Sequence, residues 1–257
     1  MKITIIKVGG AVVEDSAQLA ALLEGFKKVE GYKILGHGGG RRATKVAAQL
    51  GIESKMVGGR RITDAEMLEV VTMVYGGLVN KNIVAQLQSL GINAIGLTGA
   101  DMDVIRSHKR PLKDGVDFGF VGDVDKVNDE RLKTLIDAGM TPVLAPLTHD
   151  SAGTMLNTNA DTIASETARA LASLYDVTLV YCFEKPGVLA NPDDDTSVIP
   201  VITRNDFSRL TADGTISGGM LPKIENALAA VEAGVKKVVI TKADSIGNGG
   251  TVIQSEY

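Results

Sequence analysis

Twice within its first 40 residues the chain runs from an apolar stretch into consecutive glycines and then into sequence with helical spacing. Residues 3–8 end in Gly9-Gly10, and a second β-rich run over 32–35 leads into Gly38-Gly39-Gly40. The pattern continues: short β-rich runs alternate with helical periods, which argues for a mainly parallel sheet covered by helices. Leu19, Leu22, Leu23 and Phe26 recur at helical spacing after Asp15-Ser16, either of which can cap. A helix through Val46, Ala47 and Leu50 closes at Gly51. Thr63-Asp64-Ala65-Glu66 has the form of a capping box ahead of a helix that runs towards Leu90 and weakens at Gly76-Gly77. Residues 93–97 form a strand. Two β-rich segments flanking Lys113-Asp114-Gly115 predict antiparallel hairpins between residues 104 and 127. Asn128 caps a helix that ends at Gly139, residues 141–145 form a strand, and a turn at 150–153 leads to a helix beginning near Ala160. A strand at 177–182, a helix at 220–233 stopped by Gly234 and a strand at 236–241 complete the pattern. A soft boundary near 174 divides lobes 1–174 and 175–257, which share one continuous sheet because no flexible linker separates them.

With 44% hydrophobic and 23% charged residues among 257, the chain can bury a substantial core. A net charge of -4 and basic runs no longer than pairs argue against nucleic acid or an anionic membrane as partner. Cys182 is the only cysteine, so no intrachain disulfide or thiolate metal cluster can form. It lies in an apolar run, where a buried, inert thiol is expected. The N-terminal apolar stretch is too short for a secretory signal, and no apolar run approaches the roughly 18 residues of a membrane span. A cytoplasmic location follows as an expectation.

Glycines let backbone N–H groups approach a ligand, and a helix that starts just afterwards adds partial positive charge, so each junction suits a phosphate. Lys7 stands two residues before Gly9-Gly10. The second junction formally fits G-x-G-x-x-A, a dinucleotide signature, which would need a ribose-binding acid about 20 residues on. That region reads Met56-Val57-Gly58-Gly59-Arg60-Arg61 instead, so a dehydrogenase becomes a minor alternative. No Gly-Lys dipeptide occurs, which excludes the common P-loop. Asn157-Thr158-Asn159-Ala160-Asp161 precedes a helix and serves equally as a cap or a site. Ser217-Gly218-Gly219-Met220-Leu221-Pro222-Lys223 puts a lysine in the first turn of a helix, where the helix dipole disfavours a cation. A local rule broken beside glycines points to function.

These four blocks, in this order, resemble the amino-acid kinase family. Arg61-Ile62-Thr63-Asp64-Ala65-Glu66, Val79-Asn80-Lys81, Phe118-Gly119-Phe120-Val121-Gly122 and Pro186-Gly187-Val188 extend the resemblance over nearly the whole chain. It implies a three-layer αβα sandwich on an open, mostly parallel sheet of about eight strands. The N-terminal lobe would bind an acylated amino acid and form a homodimer, and the C-terminal lobe would bind ATP. The implied reaction is ATP-dependent phosphorylation, with Mg²⁺, of the γ-carboxylate of N-acetyl-L-glutamate or a related N-acyl-L-glutamate such as N-succinyl-L-glutamate. Lys7 and Lys223 would contact the transferring phosphoryl group, with Asp161 positioning both ammonium groups. Gly9, Gly10, Gly39 and Gly40 would donate backbone N–H groups, and Arg61 with Asn157 would hold the substrate α-carboxylate. Glu184, Lys185, Gly187, Val188, Gly218, Gly219 and Met220 would border the nucleotide.

Several positions depart from the family pattern. Glu184 stands where the family usually has Asp, followed by an unusual Lys185. Arg41 and Arg42 follow the triple glycine where small or apolar residues and an acid are common. They are either a solvated helix face or, with Arg60, cations that adapt the acyl pocket to a group bearing its own carboxylate. Lys7 comes so early that the helix linking arginine-inhibited relatives into hexamers has no counterpart, which predicts a plain homodimer insensitive to arginine. Asp193-Asp194-Asp195 and Asp101-x-Asp103 could hold a metal but fit polar loops as well. His37 is expected to order the glycine loop rather than transfer protons. Within the same fold, a kinase for carbamate, aspartate, glutamate or UMP, or a nucleotide-sensing module without catalysis, are the alternatives.

Overall fold

The computed structural model describes all residues except Lys113, Gly219 and Tyr257, and the side chain of Pro222. Among the described residues the strands are β1 (Lys2–Val8), β2 (Tyr32–His37), β3 (Met56–Val57), β4 (Arg60–Arg61), β5 (Ala94–Leu97), β6 (Ile105–Lys109), β7 (Gly122–Val127), β8 (Thr141–Leu144), β9 (Leu147–His149), β10 (Met155–Asn157), β11 (Asp176–Phe183), β12 (Val201–Ile202), β13 (Lys237–Lys242) and β14 (Thr251–Ile253). The α-helices are α1 (Gly10–Glu14), α2 (Ser16–Lys28), α3 (Gly40–Gln49), α4 (Ala65–Val71), α5 (Asn80–Ser89), α6 (Asp129–Asp137), α7 (Ala160–Leu171), α8 (Arg204–Ala212) and α9 (Met220–Glu232).

Eight strands form the main sheet in the order β12-β14-β13-β11-β1-β2-β8-β5. From β13 to β5 neighbouring strands are parallel, while β14 runs antiparallel to β13 and parallel to β12. Side-chain alternation along β1 builds two cores. Ile3 and Ile5 pack with α6, α7, α8 and α9, whereas Ile6 and Val8 pack with the helices from α2 to α5. The result is the αβα sandwich expected from the sequence. The main sheet is hydrogen-bonded across residue 174, because β1 pairs with β11 along its whole length.

Local signals account for most helix ends. Asp15 caps α2 by accepting from the backbone of Ala17 and Gln18, and Lys27 and Lys28 occupy its last turn, where the helix dipole favours cations. Asn128 caps α6, and Gly139 follows it with φ 77°. The expected capping box at Thr63 does not form. Asp64 is the cap and accepts from Met67 N–H at 2.9 Å. Thr63 is drawn into a backbone pairing with the segment around Gly119, donating to Phe118 O at 3.0 Å and accepting from Phe120 N–H at 2.6 Å. That pairing requires glycine at 119: φ is +69°, and a Cβ there would lie 2.2 Å from the Thr63 carbonyl oxygen. The helix from residue 65 to 89 does not break at Gly76-Gly77. The chain widens into a π-helical turn over Thr72–Val79, between α4 and α5.

The expected hairpin is β6 paired antiparallel with β7, with an irregularity between Arg106 and Ser107. It belongs to a small second sheet, β10-β9-β6-β7. A further hairpin, β3 with β4, turns at Gly58 and Gly59.

Candidate active site

The parity of β1 places Lys7 on the same face as Ile3 and Ile5, at the carboxyl end of the strand. Ligands of open α/β sheets gather at such ends. Lys7 Nζ, almost fully buried, lies 2.8 Å from Oδ1 of Asp161 in the first turn of α7. The contact is an ion pair without hydrogen-bond alignment, since Asp161 Oδ1 accepts from no donor among the described residues. In β11, Tyr181 and Phe183 occupy the same face and stack with ring centroids 6.0 Å apart. Lys223, in the first turn of α9, sets its ammonium 3.8 Å from the Phe183 ring centroid, and Lys7 sits 5.4 Å from it. Burial lowers the Lys223 pKa, Asp161 works against that, and Lys7 reinforces it. Asp161 therefore contacts Lys7 directly, while among the described residues Lys223 has no carboxylate within ion-pair distance and feels Asp161 through space.

The two glycine loops pack backbone against backbone. Gly38 N–H donates to Val8 O at 3.0 Å, and a Cβ on Gly38 would stand 3.0 Å from Gly10 N. Each loop opens directly into a helix, α1 and α3. His37 points into the opposite core, donating from Nδ1 to Gly38 O at 2.8 Å and accepting at Nε2 from Asn80 Nδ2 at 3.1 Å. Full burial pushes its pKa down to about 4, so it is neutral at pH 7 and orders the loop.

Two clefts open at this edge. The first, of about 450 Å³, is lined by Gly9, Gly10, Arg41, Glu184, Lys185, Gly187 and Met220. The second, of about 720 Å³, is lined by Gly38, Gly39, Arg60, Arg61, Arg110, Asn157 and Asp161. Gly40 and Lys223 line both, so the clefts meet there. Arg61 is buried and donates to Gly40 O at 2.9 Å, Thr44 Oγ1 at 2.8 Å and Ser54 Oγ at 2.8 Å. Asn157 Nδ2 donates to Thr63 Oγ1 at 2.9 Å.

The amino acid kinase family matches residues 2–242. This chain belongs to that family. Over 254 residues it is 68% identical to an acetylglutamate kinase of Phocaeicola vulgatus, with 98% of each chain covered. A second acetylglutamate kinase, from Bacteroides thetaiotaomicron, is 66% identical over 254 residues, again with 98% of each covered. Among solved structures, N-acetylglutamate synthase of Neisseria gonorrhoeae complexed with coenzyme A and N-acetyl-glutamate aligns with a TM-score of 0.83 at 22% identity. The alignment covers 99% of this chain and 60% of that one, and it shows a shared fold.

In this amino acid kinase most residues singled out from the sequence reach one of the clefts. Lys7 lines neither and touches Asp161, which lines the second. Val188 does not reach them either: its side chain is buried in the core, its N–H donates to Thr251 Oγ1 at 2.8 Å and its carbonyl accepts from Ile199 N–H at 2.8 Å. Gly218, with φ 56°, precedes α9 and lines neither cleft. Gly219 lies outside the described residues. Arg41 borders the first cleft and not the second, and its Nη2 stands 3.5 Å from Glu184 Oε1. Lys185 pairs with Asp195 at 2.8 Å, which raises its pKa and ties one acid of the 193–195 triplet to the loop. Asp101 accepts from Thr98 N–H and Oγ1, and Asp103 carries Arg106, Arg131 and His149. Cys182 is buried, and burial pushes its thiol up to about 12.

Several cleft residues, Tyr181 and Arg110 among them, were not marked by the sequence. Tyr181 lies in a run that spells only "strand". Arg110 donates to both carboxylate oxygens of Asp123, a pairing set by the hairpin.

Proposed function

We propose that the chain transfers the γ-phosphoryl group of ATP to the γ-carboxylate of N-acetyl-L-glutamate, giving the acyl phosphate and ADP, in arginine biosynthesis. The observation that carries this reading is the meeting of two clefts at Lys223 and Gly40, beside the Lys7–Asp161 pair. Relatives 66–68% identical over nearly the full length and named acetylglutamate kinase supply the substrate. On this reading ATP enters the first cleft with its phosphates at Gly9, Gly10 and Gly40. The acylated amino acid enters the second, with its α-carboxylate at Arg61 and Asn157.

A γ-carboxylate is already ionised at pH 7, so its oxygen attacks the γ-phosphorus without a general base and ADP leaves with the bridging oxygen. The obstacle is the approach of two anions. Lys7 and Lys223 neutralise the phosphoryl oxygens, Asp161 holds Lys7, and the glycine N–H groups complete the electrostatic cradle. Among the described residues no three potential metal ligands converge, so Mg²⁺ fits this site as an ion carried on the nucleotide phosphates, where it would neutralise further charge.

The test is a panel of acceptors with ATP, in which hydroxylamine traps any acyl phosphate as a hydroxamate. Turnover is expected with N-acetyl-L-glutamate and not with glutamate, aspartate, carbamate or UMP; no turnover with any N-acyl-glutamate would overturn the assignment. A second reading rests on Arg60, which lines the acyl cleft and has no anionic partner among the described residues. An acyl group with its own carboxylate would supply one, so the panel includes N-succinyl-L-glutamate. A clear preference for the acetyl compound removes that reading.

The same proposal includes a homodimer. Met73 and Leu78 are exposed apolar side chains on the π-helical turn, which leads into α5, the helix packed on the edge strand β5. Light scattering is expected to give twice the chain mass, falling towards one chain mass in Leu78→Asp. A wild-type monomer at assay concentration would contradict it.

A further inference from the structure

Helix α3 begins Gly40-Arg41-Arg42, with no acidic residue in its first turn. Two guanidinium groups at the positive end of a helix are electrostatically misplaced unless an anion sits nearby. Arg42 is exposed and lines neither cleft. Arg41 leaves the helix into the mouth of the first cleft, beside Gly9 and Gly10. Its anion is Glu184, just beyond β11 on the other side of that mouth, with 3.5 Å between Nη2 and Oε1. Both side chains are 66% exposed, so the pair is long, solvated and easily exchanged. The neighbouring cation, Lys185, is committed to Asp195 at 2.8 Å. Arg41 is thus the cleft cation whose present partner a stronger anion can displace.

We propose that Arg41 is a polyphosphate-binding residue, held over the cleft by Glu184 and transferred to the nucleotide's phosphates when ATP enters. This rests on the kinase reading of the first cleft. A planar guanidinium matches phosphate oxygens in a way that the Glu184 contact at 3.5 Å does not exploit. The nucleotide brings more negative charge than one carboxylate, so the exchange runs towards phosphate. Glu184 then acts as a placeholder: it keeps the α3 terminus neutralised in the empty enzyme and competes weakly with ATP.

The two partners therefore have opposite signs in a binding experiment. Calorimetric titration of ATP, ADP and AMP into wild type, Arg41→Ala, Glu184→Gln and Arg42→Ala separates the cases. Arg41→Ala is expected to weaken ATP about five- to tenfold, as befits a partly solvated charged contact, and to leave AMP within about twofold. Glu184→Gln is expected to leave ATP binding unchanged or up to about threefold tighter, and Arg42→Ala to match wild type. If Arg41→Ala and Glu184→Gln weaken ATP alike, the pair is only a strap across the cleft and the inference falls. It falls equally if AMP loses as much as ATP or if Arg41→Ala binds ATP normally. Failure of the wild type to bind ATP at all would instead remove the kinase reading on which it rests.

Discussion

Replacing Lys7 or Lys223 by alanine is expected to lower kcat about 10²–10³-fold, the cost of losing one transition-state donor. Lys223 stands against the Phe183 ring where the two clefts meet, and Lys7, which lines neither cleft, is held 2.8 Å from Asp161 and 5.4 Å from the same ring. Charge on the equatorial phosphoryl oxygens must be neutralised most in the transition state, so the loss appears in kcat more than in KM. Folding is expected to survive, because the Asp161 carboxylate left by Lys7→Ala is about one-third exposed and can be solvated. Circular dichroism checks the fold, and steady-state kinetics checks the rate. Near wild-type turnover in either variant would sink the assignment of these lysines. The pH profile adds an independent readout. Burial lowers the Lys223 pKa, so in the free enzyme this ammonium loses its proton below the range of a free lysine. The alkaline limb of kcat/KM should therefore set in below that range. Lys223→Arg, whose guanidinium does not titrate, should move the limb to higher pH even at a reduced rate.

The legibility of the fold followed the strength of local signals. The β1 and β11 runs were plain because both faces of these strands are buried, so apolar residues such as Ile5-Ile6 and Leu179-Val180 fall on both faces. The strands β12 and β14 have two and three residues and offer no period to detect. Helix α8 buries only Phe207 and Leu210, and its sequence reads as a polar loop, although Thr203 and Asp206 form a complete capping box there. Thr63 misled because its backbone partner, the Gly119 segment, is distant in sequence and outcompetes a local cap. At the site, Lys7 was marked by the glycines beside it and Lys223 by its misplacement in a first turn. That Lys7 meets Asp161 comes from packing α7 against β1, which no local pattern encodes. Val188 was drawn in by the Pro-Gly-Val run; its side chain belongs to the core. For Arg41 a solvated helix face and the acyl pocket stayed open, because sequence adjacency does not say which side of α3 each arginine leaves; it lies at the first cleft.

Arg61→Ala is expected to raise KM for the acyl substrate about 10²-fold or more, while KM for ATP stays within about threefold. Arg61 is 9% exposed, yet its donors meet only neutral acceptors, the oxygens of Gly40, Thr44 and Ser54 and the sulfur of Met67. Among the described residues no carboxylate lies within ion-pair distance of it. A buried guanidinium without a counter-ion is a costly arrangement, and it becomes intelligible when the anion arrives with the substrate. Arg61, Gly40 and Lys223 line one cleft, so on the proposed reading an α-carboxylate held at Arg61 leaves the γ-carboxylate to reach Lys223. Because Arg61 also ties the start of α3 to the β4 strand through Gly40 and Thr44, some loss of stability is expected in the variant. Ligand-dependent stability separates the two contributions. Saturating N-acetyl-L-glutamate should raise the Tm of wild type and leave that of Arg61→Ala unmoved. Arg61→Lys should recover little, since one ammonium cannot span Gly40, Thr44 and Ser54 while also gripping a carboxylate. An unchanged KM for the acyl substrate in Arg61→Ala would mean that the buried charge serves α3 alone, and the α-carboxylate would have to be held elsewhere in the cleft.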